Sequence, residues 1–288
     1  MLSSVRRLLM IKSFCKINLS LRVLHKMNNG LHNIQSNVFL LDLYDEINIK
    51  KIKKDEDKIV FKGQFKKLVN SYENSVKDTI FLLRKQNIIK KNINYQIVIN
   101  KKIPVFSGLG GGSSNSAFII KYFIKNKKKK FKIKEFEEKI GTDLGLFFNK
   151  QSLQKSLKKI ENYKKKYNFY FLLVYPNLKC STKEIYSKVN KYSNSSKTNF
   201  RKLYSKAQFA SLIKKERNDL QNIAIAKYKS IKKIIEFISS QKGCYFSRMT
   251  GSGSVCFGMF KSKKTAKFGL KTIKKKFPKY WCVVSKTI

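Results

Sequence analysis

From Ile17 onward apolar and polar positions alternate, with Ile17, Leu19, Leu21 and Val23 interleaved with Lys16, Asn18, Ser20 and Arg22. That two-residue period predicts a half-buried strand with Lys16 and Asn18 together on its polar face. The cluster Asn28-Asn29-Gly30 predicts a turn. Residues 37–43 and 46–52 read as further strand, broken near Tyr44-Asp45. Helical spacing over 75–86 gives way to a strand over 95–100, and a glycine-rich loop, 108–114, then opens an apolar helix reaching about Ile124. Residues 125–130 read as a solvated loop, and 133–140 as a short helix.

The stretch 150–166 is Lys-rich and weakly patterned, which places a boundary there and divides the chain into 1–155 and 156–288. Beyond it come a strand over 169–175, a helix opened by the capping pattern Ser181-x-x-Glu184, and two helices across roughly 207–239. Strands over 245–249 and 255–260, a helix over 264–275 and a strand over 281–285 close the chain. Strands and helices mixed without regular alternation predict an α+β architecture.

A formal charge of +47 raises a polyanion, nucleic acid or an anionic membrane, as a partner. The distribution argues otherwise. Nearly all of the positive charge is Lys, spread along the chain, with Arg6, Arg7, Arg22, Arg84, Arg201, Arg217 and Arg248 as the arginines. A groove reader is expected to concentrate Arg, whose planar fork grips phosphate and guanine edges. The five scattered cysteines include no Cys-x-x-Cys pair, which predicts reduced thiols, a cytoplasmic setting and no zinc site. No run approaches eighteen apolar residues, so no membrane association is expected. The first nine residues, with Arg6 and Arg7, read as a brief leader that a start at Met10 would remove.

Chemistry concentrates in the loop Gly108-Leu109-Gly110-Gly111-Gly112-Ser113-Ser114. Consecutive backbone N–H groups there can converge on an anion while the following helix turns its positive end toward the same point. A triphosphate suits such a cradle. The loop is neither a Walker A, lacking Gly-Lys-Ser/Thr, nor a dinucleotide fingerprint, because Ser113 stands at the third glycine position. Asp143, after Gly141, is either a turn aspartate or a group able to orient a hydroxyl and take its proton. Thr250-Gly251-Ser252-Gly253-Ser254 reads by itself as a hairpin turn, and His32 as a turn cap.

Taken in order, these segments resemble the galactokinase, homoserine kinase, mevalonate kinase and phosphomevalonate kinase superfamily, from about Met10 onward. Phe14-Cys15-Lys16-Ile17-Asn18-Leu19 is similar to its N-terminal motif, and Arg248 to Ser254 to its third motif. Asn28-Asn29-Gly30-Leu31-His32 and the extended glycine loop resemble the branch that phosphorylates a cytidine diphosphate ester of methylerythritol. Gly141-Thr142-Asp143 and Arg217-Asn218-Asp219-Leu220 resemble further segments of that branch.

The resemblance implies a two-lobed α+β small-molecule kinase with its cleft between the lobes, the N-terminal domain binding ATP phosphates and the C-terminal domain lying on the substrate side. It implies ATP and Mg²⁺ as cofactors, Asp143 as catalytic base and Lys16 as its partner. Pro104 and Gly108 to Ser114 would hold the nucleotide. His32 would bond the cytosine, Asn18 the polar tail, Tyr186 would stack on the base, and Gly251 and Gly253 would pack the third motif close to the phosphate loop. The expected acceptor is the 2-hydroxyl of the ester, the expected partners are small molecules only, and the expected assembly is a monomer or homodimer. Leu31, where the branch carries Tyr, and Gln151-Ser152-Leu153-Gln154-Lys155, in place of a Gly- and Ala-rich strand, depart from the pattern. Two alternatives stand beside this one: a sister kinase acting on homoserine, mevalonate or a sugar, and a non-catalytic basic nucleic-acid-binding protein on the same fold.

Overall fold

A computed structural model describes residues 10–70, 72–125, 131–200 and 202–288. The expected nine-residue leader and most of the expected lysine loop lie outside the described residues. The described chain forms two compact units, each assembled from separate stretches: 10–15, 43–105 and 111–148 in one, and 16–42, 106–110 and 149–288 in the other. Strands β1 (Ile11–Lys26) and β2 (His32–Ile52) run from one unit into the other. Where a single division after residue 155 was expected, the chain passes between the units several times, the last at Phe148–Asn149, and 16–42 and 106–110 belong with 149–288.

In the smaller unit β3 (Lys58–Lys62) lies parallel to β4 (Asn94–Asn100), and β4 pairs antiparallel with the second half of β2, Ile49 opposite Ile97 and Ile47 opposite Ile99. Tyr95, Ile97 and Ile99 point inward, as their two-residue spacing requires. Helices α1 (Ser75–Lys85), α2 (Gly111–Ile124) and α3 (Ile133–Ile140) supply the rest of the core. Asn74 opens α1 by accepting the N–H groups of Val76 and Lys77, and Val76, Ile80 and Leu83 form its buried stripe.

The expected break near Tyr44-Asp45 does not occur, and β2 runs through it. Asp45 is fully buried. Its Oδ1 accepts the backbone N–H groups of Lys102 at 2.7 Å and Ile103 at 2.9 Å, and its Oδ2 accepts from Lys101 Nζ. An aspartate that signals a turn locally is held in a strand by partners that arrive from β4's end.

In the larger unit the first half of β2 pairs with β5 (Gln151–Ser156), which turns back into β6 (Lys159–Asn162). This hairpin occupies the weakly patterned stretch in which the boundary was expected. Gln151, Ser152, Leu153 and Gln154 are all buried, so the strand has no apolar alternation to betray it. A second, antiparallel sheet has the order β10 (Trp281–Lys286), β7 (Tyr170–Tyr175), β9 (Cys256–Phe260), β8 (Cys244–Met249).

Helices α4 (Thr182–Ser187), α5 (Lys206–Lys215), α6 (Gln221–Lys227), α7 (Lys229–Ser239) and α8 (Lys263–Lys276) complete this unit. Ser181 caps α4 as expected, accepting from Glu184 N at 3.3 Å. Three helices stand where two were expected across 207–239. The chain must leave helix after Lys215 because Arg217 O and Asp219 N both bond to Leu21 of β1, each at 2.9 Å. On α7, Ile231, Ile234 and Ile238 are fully buried against a core that includes Leu172, Val174 and Phe260, each side chain contributing about 1.5–3 kcal/mol by leaving water. All five cysteines are free thiols. No helix among the described residues is long and apolar enough to cross a membrane.

Candidate active site

Strand β1 delivers Lys16 and Asn18 to one point of the larger unit, and both are almost completely buried, at 3% and 2% exposure. Lys16 Nζ donates to Asn18 Oδ1 at 2.5 Å, and Asn18 Nδ2 donates to Ser36 Oγ on β2 at 2.8 Å. The glycine loop meets them through the backbone, with Lys16 N donating to Leu109 O at 3.0 Å. The third motif arrives from the other side. Asn18 N donates to Thr250 Oγ1 at 2.9 Å, and Val255 N donates to Ser107 O at 3.1 Å.

Two glycines make this convergence possible. Gly108 has φ +78°, and a Cβ on it would lie 2.2 Å from Thr250 O. Gly251 has φ +55°, and its Cβ would lie 3.2 Å from Asn18 Oδ1 and 3.3 Å from Gly108 O. Both conformations are ones that L side chains rarely adopt. Asn218, at the start of the Asn-Asp-Leu segment, secures the motif from behind by donating to Met249 O and Gly251 O, each at 2.8 Å.

Past Gly110 the loop enters the smaller unit, where Gly111, Gly112, Ser113 and Ser114 form the first turn of α2. Here the sequence hides the decisive contacts. Asn115 accepts from Lys101 Nζ at 2.9 Å and donates to Asp45 Oδ2 and Ser13 Oγ, each at 3.0 Å. Ser114 Oγ donates to Phe14 O at 2.6 Å. The buried Lys101–Asp45 pair thus braces the start of the helix whose positive end the loop presents. Its members are 56 positions apart, and neither stands in a recognisable motif. Lys101→Met would strand the Asp45 carboxylate in the interior, and its expected cost is about 3–5 kcal/mol of unfolding free energy. Chemical denaturation checks this, and adding Asp45→Asn to the variant is expected to restore part of the loss.

Asp143 lies in the smaller unit, in the turn that links α3 to a 3-10 helix over Leu144–Phe148. Leu144 N bonds to Gly141 O at 3.2 Å, Leu146 N bonds to Asp143 O at 3.1 Å, and Leu144, Leu146 and Phe147 are fully buried. The half-buried aspartate therefore rides on a fixed backbone. Pro104 is also in this unit, directly after the Asp45-bonded Ile103.

His32 opens β2 in the larger unit after the Asn-Asn-Gly turn, in which Met27 N bonds to Leu31 O at 2.7 Å. Its ring centroid lies 5.2 Å from that of Tyr186 on α4 and 6.3 Å from that of Tyr192. Burial, helped by the nearby Lys26 ammonium, lowers the His32 pKa. The ring is therefore neutral at physiological pH, with one donor and one acceptor nitrogen. Leu31 is 45% exposed beside it. Gly253 belongs to the same unit, where its N–H bonds to Thr250 O at 3.0 Å.

A glycine loop feeding a helix start, locked to a strand-borne lysine and to a second glycine turn on an α+β frame, defines a small-molecule kinase of the GHMP class. Residues 201–279 match the GHMP kinases C-terminal domain. Among solved structures, the fold is shared with a 4-(cytidine 5'-diphospho)-2C-methyl-D-erythritol kinase, at TM-score 0.74 and 18% identity over 97% of this chain and all of that one. It is shared too with a homoserine kinase from Cytophaga hutchinsonii, at TM-score 0.70 and 17% identity over all of this chain and 96% of that one. The 4-diphosphocytidyl-2-C-methyl-D-erythritol kinase of Pelagibacter ubique is 37% identical over 283 residues, covering 96% of this chain and 98% of the relative. That of Clostridioides difficile is 30% identical over 290 residues, covering 96% and 94%. The chain belongs to the 4-diphosphocytidyl-2-C-methyl-D-erythritol kinase family.

Proposed function

We propose that the chain transfers the γ-phosphoryl group of ATP to the 2-hydroxyl of 4-diphosphocytidyl-2-C-methyl-D-erythritol, a step in making isoprenoid precursors by the non-mevalonate route. One observation carries the reading beyond family membership. Gly108 and Gly251, from two motifs far apart in sequence, pack backbone against backbone and onto Asn18, the bonded partner of Lys16. A solvated linker and a plain hairpin would have no reason to interlock at a buried lysine.

In this reading the loop N–H groups and the positive end of α2 hold the ATP phosphates. The 2-hydroxyl oxygen attacks the γ-phosphorus, the bond to the β-phosphate oxygen breaks, ADP leaves, and Asp143 takes the hydroxyl proton. Lys16, aimed by its bond to Asn18, steadies the charge on the moving phosphoryl group. Among the described residues no three His, Cys, Asp or Glu side chains are grouped to hold a metal ion. A Mg²⁺ brought in on the nucleotide would supply neutralisation of the charge that develops on the phosphate oxygens. The cytosine lies at His32 and Tyr186.

A coupled ADP-release assay with Mg-ATP and the cytidine diphosphate ester tests the assignment. Turnover of the ester is expected, and preference for homoserine or mevalonate would overturn it. His32→Ala is expected to raise KM for the ester at least tenfold and leave KM for ATP within twofold. Because the lowered pKa of His32 keeps its ring neutral, ester affinity is expected to stay flat through neutral pH and to fall only on acidification, when the ring gains a proton and loses its acceptor nitrogen.

A further inference from the structure

We propose that Gln154, with Ser152 beside it on β5, binds the hydroxyl-bearing chain of the acceptor alcohol and so helps to set which alcohol is phosphorylated. The proposal rests on the kinase reading above and names two residues that reading does not use. It starts from an interior polar group left open. Gln154 is 0% exposed, and neither its amide oxygen nor its amide nitrogen has a hydrogen-bond partner. Ser152 Oγ, on a residue 1% exposed, has none either. More than nine in ten buried polar groups in folded proteins are paired, and a donor or acceptor left without water or partner is costly. Two adjacent side chains on one strand face, both unsatisfied, mark a place built to receive hydrogen bonds from something that binds.

The register shows where that face lies. Gln154 stands opposite Ser36 of β2, and Ser152 opposite Val38. Residues paired across antiparallel strands share a face, with Cβ atoms about 4.5–5.5 Å apart. Ser36 Oγ donates to Ser20 O at 2.6 Å and accepts from Asn18 Nδ2, while Asn18 accepts from Lys16 Nζ. Lys16, Asn18, Ser36 and Gln154 are thus successive members of one polar row, and the open amide lies at its far end. The opposite face of β5 turns Leu153 and Lys155 to a separate cavity of about 560 Å³ that also takes in Gln35 and Lys164. Gln154 does not serve that cavity.

The chemistry of the row fits an uncharged ligand. A primary amide presents two N–H donors and a carbonyl with two lone pairs in one plane, and a serine hydroxyl adds one donor and two acceptor sites. Neighbouring hydroxyls, each both donor and acceptor, match that set. A phosphate, which only accepts, would use the N–H and O–H donors and leave the amide carbonyl unpaired. The polyol portion of the acceptor, one end of which must reach Lys16 to react, is the part of the substrate that this row suits.

Gln154→Met keeps length and volume and removes every hydrogen bond, so it separates binding from folding. The expected result is a KM for the cytidine diphosphate ester raised at least tenfold, a KM for ATP within twofold of wild type, and a thermal midpoint of the unliganded protein equal to or above wild type. Ser152→Ala, the smaller change, is expected to raise the ester KM two- to fivefold and serves alone if the methionine variant fails to fold. An unchanged ester KM in a folded Gln154→Met protein, whatever its midpoint, would show that the amide takes no part in binding and overturn the proposal. A wild-type protein that releases no ADP with the ester overturns the kinase reading instead, and the proposal with it.

Discussion

Asp143→Asn is expected to lower kcat by about 10²–10⁴, the range that a positioned general base contributes, while the dissociation constants for ATP and the cytidine diphosphate ester change by less than threefold. Asparagine keeps the shape of the side chain and its ability to accept a bond from the substrate hydroxyl, but it cannot take the proton. The surrounding turn is also held through its backbone and its apolar neighbours. Its backbone is fixed by the Leu144 N to Gly141 O and Leu146 N to Asp143 O bonds and by the buried Leu144, Leu146 and Phe147. A stable, binding-competent, inactive variant is therefore the expected phenotype. Single-turnover kinetics with titration calorimetry check it, and a parallel loss of affinity and rate would show that residue 143 positions substrate and takes no proton.

Some of this was legible in the sequence because it is written locally. The alternation about Ile17 marks β1, the glycine run marks the loop ahead of α2, and Ser181-x-x-Glu184 marks the start of α4, since in each case the residues that signal the element also satisfy it. Asp45 shows the opposite case. Tyr44-Asp45 has the look of a turn, and what keeps β2 straight is a lysine and two N–H groups supplied by residues 101–103. The β5–β6 hairpin escaped for a related reason. Its buried positions are filled by Gln and Ser, and their environment depends on β1 and β2, so no hydrophobic period exists to be read. At the site, the motif residues Lys16, Asn18, Gly108 and Gly251 could be named from sequence. Ser36 and Lys101, which hold them or the helix they lead into, could not, because their part is defined only by partners distant along the chain, and Asn218 stood in a recognisable segment without its bonds to Met249 O and Gly251 O being readable.

The loop glycines show how the two kinds of information combine. From sequence, their value is that backbone N–H groups can come close to a phosphate. In the fold Gly108 has a second constraint, because its missing side chain is the space that the Thr250 carbonyl occupies.

Gly108→Ala is accordingly expected to abolish measurable ATP binding, a loss of at least a hundredfold, although only one methyl group is added. The Cβ would lie 2.2 Å from Thr250 O, 3.1 Å from Thr250 C and 3.2 Å from Gly253 N, all of them backbone atoms that cannot swing aside as a side chain can. The φ of +78° adds about 1–2 kcal/mol of strain for any L residue. Relief requires the loop and the third motif to separate, which breaks the Val255 N to Ser107 O bond and withdraws Thr250 Oγ1 from Asn18 N. Lys16 then loses the register set by Leu109 O, so nucleotide affinity and catalytic geometry fail together. Gly112→Ala is the control. Its Cβ would meet only Ser75 Oγ, at 3.4 Å, and its backbone is helical, so its unfolding midpoint is expected to stay near wild type. Comparing the two by calorimetric ATP titration and by thermal unfolding separates the clash at residue 108 from a general intolerance of side chains in the loop, and a Gly108→Ala protein that still binds ATP would show that the two motifs need not touch.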